Sequence, residues 1–229
     1  MKSLFRILML FVVIVSCKSD KSESPTERKK ELTIAEKIAN AHGFEHWKNV
    51  EEVQFTFAVD RDTIKGNGRS WTWLPKMDSV YMQAGLQNVK YSRKNLDSIP
   101  KNADRAFIND KYWAFVPFQL VWDTSATISD VKKAKAPISE AEMDMITILY
   151  PNEGGYTPGD AYDIYFDDNY MIKEWTFRKG NSETPSLSTT FENYEDYNGI
   201  KIARDHKKDN GSWNLNLTGI KVKTKIKVF

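Results

Sequence analysis

Residues 52–59, Glu-Val-Gln-Phe-Thr-Phe-Ala-Val, alternate strictly: Val53, Phe55, Phe57 and Val59 share one side of an extended chain, and Glu52, Gln54, Thr56 and Ala58 the other. A period of two is the mark of a strand with one face in a core. Downstream, Asn67-Gly68 is a hairpin turn signal, and Trp71 and Trp73 share a face of the strand that follows. Extended segments are expected at 79–84, 87–92 and 112–121. Beyond Gly159-Asp160 they become dense, at 161–166, 170–178, 188–197, 200–206, 212–217 and 220–228, with Asn198-Gly199 and Asn210-Gly211 as hairpin turns. Upstream the period is helical. Leu32, Ile34, Ala35, Ile38, Ala39 and Ala41 suit one helix face, with Thr33 as cap and a stop near Gly43. Ser139-Glu-Ala-Glu142 has capping-box spacing and offers a second, short helix start, while 145–150 reads equally as strand or helix. The pattern predicts a mainly β, α+β fold: a curved antiparallel sheet forming an open half-barrel, with the N-terminal helix on its concave face.

Lys2 and Arg6 precede an apolar run, Ile7 to Val15, that is too short to stay in a bilayer as a spanning helix. Ile14-Val15-Ser16-Cys17 closes it, an aliphatic residue three places before a cysteine that follows a small residue. This resembles the bacterial lipobox. The resemblance implies cleavage between Ser16 and Cys17, diacylglycerol on the Cys17 thiol and an acylated new amino terminus, hence a membrane partner held through lipid. Cys17 is the single cysteine, so no intramolecular disulfide can form. Three segments are expected: a leader at 1–16, a lipidated cysteine with a polar tether at 17–31, and one domain at 32–229. Lys18 stands where an aspartate would retain some lipoproteins at the inner membrane, so the expected location is the outer membrane. A formal net charge of +2 gives no basis for nucleic-acid binding.

Phe107-Ile-Asn-Asp-Lys-Tyr-Trp113 followed by Pro117, and Phe191-Glu-Asn-Tyr-Glu-Asp-Tyr-Asn-Gly-Ile200, together with the leading helix and aromatic-rich strands, resemble the LolA-like superfamily. Thr157-Pro-Gly-Asp160 with Glu174-Trp-Thr-Phe-Arg178 is similar to a group of lipoproteins from one branch of Gram-negative bacteria. The resemblance spans about residues 32–229 and implies a half-barrel with a hydrophobic hollow, which in carrier members shields acyl chains. None of its motifs is catalytic. Carriers are soluble shuttles, whereas Cys17 implies an anchored chain, so the shuttle role does not transfer with the fold.

Trp71, Trp73, Tyr81, Trp113, Phe115, Tyr165, Trp175 and Phe177 either line an apolar cavity or fill a solid core. His42-Gly-Phe-Glu-His46 matches a zinc-protease pattern in which both rings must share a helix face, but Gly43 inside it favours ending a helix. Thr63, Ser79 and Ser98 sit in Asp-Ser/Thr-aliphatic triplets that resemble an O-glycosylation sequon. Lys221, Lys223, Lys225 and Lys227 alternate along the last strand, as a solvated face or one drawn to anionic headgroups. The expectation is a non-enzymatic domain without a cofactor, binding lipid or another apolar ligand. The alternative is an envelope interaction module with a filled core and an unnamed protein partner. A zinc hydrolase through His42 and His46 is the remote third.

Overall fold

The alternating stretch is the middle of a long strand, β1 (Val50–Arg61), in a computed structural model that describes residues 31–95, 100–209 and 211–225. The leader, Ser16, Cys17, the tether up to residue 30, Ser98, Asn210 and Lys227 lie outside the described residues. Before β1 come helix α1 (Ile34–Ala41) and a short 3-10 turn (Phe44–Asn49). After it run β2 (Arg69–Leu74), β3 (Ser79–Ala84), β4 (Gln87–Ser92) and a long helix, α2 (Lys101–Trp122). Then follow β5 (Thr127–Ile128), β6 (Lys132–Lys135), β7 (Glu142–Leu149), β8 (Ala161–Phe166) and β9 (Ile172–Arg178). The described chain ends with β10 (Leu187–Thr190), β11 (Glu195–Tyr197), β12 (Ile200–Ile202), β13 (Asp205–Lys207) and β14 (Trp213–Thr224).

One six-stranded sheet runs β13-β14-β1-β2-β3-β4 and the other β10-β9-β8-β7-β5, with β6 also on β7. All the pairings are antiparallel. The two sheets meet where Glu192 bridges Asp205 and the Lys207 amide donates to Thr190 Oγ1 at 3.0 Å. At their far ends, β4 on one and β5 and β6 on the other, they do not pair. The result is a curved wall open along one side, the half-barrel that the alternation predicts. Its inward residues share one core with both helices: Val53, Phe55 and Phe57 from β1, Trp71 and Trp73 from β2, Ile146 and Ile148 from β7, Ile164 and Phe166 from β8. Within the described residues, the expected strands at 212–217 and from 220 onward are a single strand, β14, with a register irregularity opposite Gln54 and Thr56 at Gly219.

Thr33 caps α1 in a full capping box with Glu36, and Ala35, Ile38 and Ala39 bury their side chains against the core, largely beside α2. Gly43 ends the helix at φ 90°, and the chain turns there hard against the β11–β12 hairpin. A Cβ at this position would stand 1.7 Å from the Gly199 carbonyl oxygen. Gly43→Ala is expected to lose roughly 2–4 kcal/mol, because backbone strain and an unavoidable clash act together. Gly85, with φ 57° but nothing within 4 Å of its Cβ position, separates the two causes. Gly85→Ala carries only the conformational cost, about 1 kcal/mol. Urea midpoints for the two variants should differ clearly, and equal losses would remove the steric argument.

Residues 112–121, expected to be extended, lie in α2 instead. This helix has no single apolar stripe, because from Tyr112 to Leu120 every side chain is buried between the two sheets. A helix enclosed on several sides loses the 3.6-residue period that identifies it, and its aromatic residues then read as strand formers. The helix is kinked at Phe115, where Pro117 two residues later supplies no backbone donor. Two carboxylates on its first half fasten it to the β1–β4 sheet. Asp104 accepts from Arg93 Nε at 2.7 Å. Asp110, fully buried, accepts from Arg69 Nε and Nη2 at 2.8 and 2.7 Å and from the Trp71 indole at 2.8 Å.

The helix start expected at Ser139 is a turn between β6 and β7. Ser139 Oγ accepts from the Ala141 amide, Glu140 has φ 57°, and the chain enters β7 at Glu142, so 145–150 is largely strand. The buried Glu174 carboxylate accepts from the Ile138 and Ser139 amides at 2.7 and 3.0 Å and sets that turn. The capping-box spacing is present, but the Ser139 amide that the Glu142 side chain would satisfy in such a box goes to Glu174, and Glu142 pairs with Lys135 in the β6–β7 ladder.

Candidate ligand-binding cavities

Helix α2 fills most of the half-barrel, yet leaves a cavity on each flank. Toward β8 and β9, a cavity of about 360 Å³ is walled by Tyr112 and Trp113 of α2, Tyr162 of β8, Trp175 and Phe177 of β9, and Tyr156. Toward the other sheet, a more open cavity of about 620 Å³ is walled by Trp47, Trp73, Lys111, Gln119 and Trp122, with Arg93 and Asp123 at its border. Each lies within the roughly 300–1,000 Å³ usual for small-molecule sites. Ile108 and Tyr156 line both.

Tyr156 comes from the 151–160 loop, whose base is closed by the Tyr150 amide donating to the Asp160 carbonyl at 3.0 Å and the Gly159 amide to that of Pro151 at 2.9 Å. Its ring stacks on Tyr112, with centroids 3.9 Å apart and planes within 11°. Tyr150 Oη donates to Tyr112 Oη at 3.2 Å. Burial pushes the phenols of Tyr112, Tyr150, Tyr156 and Tyr162 above their ordinary range, so these side chains stay neutral. Neutral aromatic walls suit apolar groups.

On the opposite flank, Lys111 Nζ lies 5.4 Å from the ring centres of both Trp73 and Trp122. Burial, with help from the charge of Arg93, pushes its ammonium down to about 8, partly opposed by Asp78, Asp104 and Asp123. The residues that bound these spaces are thus a mixture of expected and unexpected ones. Trp113, Trp175 and Phe177 line the smaller cavity and Trp73 the larger. Trp71 and Phe115 are buried in the core, on neither wall. Tyr81 and Tyr165 are on the other face of their strands and lie outside the interior. Val80 and Met82 take the inward positions around Tyr81, whose own side faces outward with its hydroxyl donating to Asn88. Tyr165 packs instead in a separate small cluster with Ala136 and Met145. Trp47, Ile108, Lys111, Tyr112, Trp122, Tyr156 and Tyr162 also line these spaces, beyond the cavity residues expected from the sequence. A lysine inside the aromatic run 107–122 was the available signal.

His42 and His46 do not share a helix face. His42 caps α1 with Nδ1 2.8 Å from the Ile38 carbonyl, and Nε2 lies 3.2 Å from Tyr194 Oη and 3.4 Å from the Ile172 amide. Gly43 then turns the chain, and His46 sits exposed in the 3-10 segment beside Glu45. The zinc pattern therefore lacks the helix it needs. Among the described residues no group of three or more His, Cys, Asp or Glu side chains is placed to hold a metal. Of the triplet sites, Thr63 is exposed in the β1–β2 connection and Ser79 half-buried at the start of β3. Lys221, Lys223 and Lys225 are exposed, and Lys223 pairs with Glu52 at 2.7 Å. Two motif residues of the resemblance tie the ends of β8 and β9 together. Asp160 accepts from Thr157 and from the Gly180 amide, and Arg178 grips Asp163 through two nitrogens at 2.8 and 3.2 Å.

No protein-family model and no curated protein sequence matches the chain. Among solved structures the chain is similar to a DUF1329 family protein from Desulfovibrio piger ATCC 29098, with 6% identity and a TM-score of 0.47 over 85% of this chain and 92% of that one. It is also similar to a LolA superfamily protein from Nitrosomonas europaea, with 9% identity and a TM-score of 0.47 over 85% of this chain and 96% of that one.

Proposed function

We propose that this chain is a lipid-anchored protein of the cell envelope, held at the outer membrane through Cys17, whose domain binds lipid or another apolar ligand without catalysing a reaction. The observation that carries the binding half is the pair of aromatic-lined cavities flanking α2, with Ile108 and Tyr156 common to both walls. Removing a ligand's apolar surface from water there is favourable by about 25 cal/mol per Å². The anchoring half rests on the leader and the Ile14–Cys17 stretch. Among the described residues no helix is long and apolar enough to cross a membrane. A second reading, an interaction module with a closed core, is favoured by how completely Phe107, Tyr112, Phe115 and Phe118 occupy the interior.

A photoreactive fatty acid fed to cells making the full-length protein separates the two readings. Ligand binding predicts crosslinks on peptides of α2 and of the 151–160 loop, in addition to acyl label on the Cys17 peptide that disappears in Cys17→Ala. Label confined to the Cys17 peptide would sink the ligand reading and leave the interaction module. Label absent from that peptide would remove the anchor.

A further inference from the structure

The larger cavity holds a cation that the fold itself does not use. Among the described residues Lys111 has no carboxylate within ion-pair distance and no hydrogen-bond acceptor; its ammonium lies 5.4 Å from the ring centres of Trp73 and Trp122, with Asp78, Asp104 and Asp123 beyond ion-pair reach. Trp73 also buries its indole N–H without an acceptor. The neighbouring charges are partly engaged with groups other than Lys111. Arg93 is bound to Asp104 at 2.7 Å and lies 3.8 Å from Asp78, and Asp123 accepts from the Ser125 amide and hydroxyl at 2.9 and 2.5 Å. A half-buried ammonium with three free donors is costly unless something negative arrives to meet it. Around it, the rings of Trp47, Trp122 and Tyr156 and the Ile108 side chain offer mainly apolar surface, while Gln119, Asp123, Thr124 and Ser125 make the rest of the wall polar.

We infer that the cavity selects amphiphiles with one negative charge, a long-chain carboxylate whose head pairs with Lys111 and whose tail lies along Trp47, Trp122 and Ile108. This rests on the reading of the domain as a binder of apolar ligands and adds the class of ligand. A single unengaged ammonium matches one charge. A phosphate monoester, carrying nearly two at neutral pH, would leave the second beside Asp123. At pH 7 the ammonium, pushed down to about 8, is still mostly charged.

The test uses the full-length chain in nanodiscs of zwitterionic phosphatidylcholine, with empty nanodiscs correcting for partition. Dodecanoate and dodecanol, each brominated at the far end of the chain, quench indole fluorescence when they enter. Dodecanoate should bind about tenfold more tightly or better, the increment of a charge-assisted hydrogen bond. Lys111→Met should abolish that preference while the alcohol still binds, and Lys111→Arg should keep most of it. Retained alcohol binding also shows that the Met variant is folded. Equal binding of acid and alcohol by the parent protein overturns the headgroup assignment and leaves apolar binding intact. No quenching by either probe overturns both. Dodecyl phosphate binding more tightly than dodecanoate overturns the single-charge assignment.

Discussion

Asp110→Ala is expected to lower stability by about 3–5 kcal/mol, the usual result of removing one partner of a buried ion pair. Three groups lose their acceptor at once. The Arg69 guanidinium, held by two nitrogens, is left beside the Phe57 ring, 5.0 Å from its centre. The buried Trp71 indole loses its only hydrogen bond at 2.8 Å, and Asn109 loses one at 3.0 Å. Arg69 is 37% exposed and can turn toward water, so the loss should fall toward the lower end of that range. Asp110→Asn keeps an acceptor for Trp71 but loses the charge, and should cost about half as much. A double-mutant cycle with Arg69→Met isolates the pair, since the two residues touch and their effects cannot be additive. Urea unfolding of the four proteins reads the coupling, and a loss below about 1 kcal/mol for Asp110→Ala would contradict the account. The consequence reaches the cavities, because Asp110 is the clamp beside Ile108 and Lys111.

That clamp shows where a sequence of this kind is legible and where it is not. Strands β3 and β4 coincide with the segments expected from alternation, residue for residue, because each has one wet face and one dry face between clear turns. Parity alone also excludes Tyr81 and Tyr165 from the interior. Val80 and Met82 are the apolar neighbours of the first, and Ile164 and Phe166 of the second, so grouping the tyrosines with Trp71 and Trp175 by chemistry overrode their position on the strand. Helix α2 was illegible for the opposite reason: both sheets bury it, and its pattern carries no wet face from Tyr112 to Leu120. Length was the better guide. From Lys101 to Trp122 there is no glycine and no turn pair, and 22 residues exceed the usual three to ten of a strand. The cavities follow from how α2, the 151–160 loop and two sheets fit together, which no local pattern encodes. Lys111 could be noticed in sequence, but its lack of an acid partner could not.

The second large effect is acid lability between pH 6.5 and about 4. His42 and His206 are both fully buried, and burial pushes each down to about 4 from an ordinary value near 6.5. Their hydrogen bonds fit the neutral ring. His42 Nδ1 faces the Ile38 carbonyl, leaving Nε2 to accept from the Ile172 amide, and a second proton there would oppose that N–H. His206 Nδ1 lies 3.2 Å from the Leu215 carbonyl, while Nε2 has no partner and is shut in by the rings of Trp113 and Phe191. Lys201 adds to the depression of His42 and Asp167 opposes it; Asp205 and Glu192 oppose that of His206. The unfolded chain therefore binds protons at a higher pH than the folded one. Above pH 6.5 both states are neutral at these positions and nothing is lost. As pH falls below it, only the unfolded state gains protons, and stability declines until the folded values are reached. Each histidine should remove roughly 3 kcal/mol by pH 4, with a steepest combined slope of about 2.4 kcal/mol per pH unit. The carboxylates held low by partners, Glu52, Asp60 and Asp205 among them, titrate mostly below this window. Urea midpoints taken in half-unit steps from pH 7.5 to 4.5 should therefore fall from near 6.5 downward, and His206→Phe should lose about half of the decline, since phenylalanine fills the aromatic slot without a titrating ring. A profile flat to pH 5 would mean that water reaches these rings, and with it that the junction of the two sheets around His206 is looser than its packing implies.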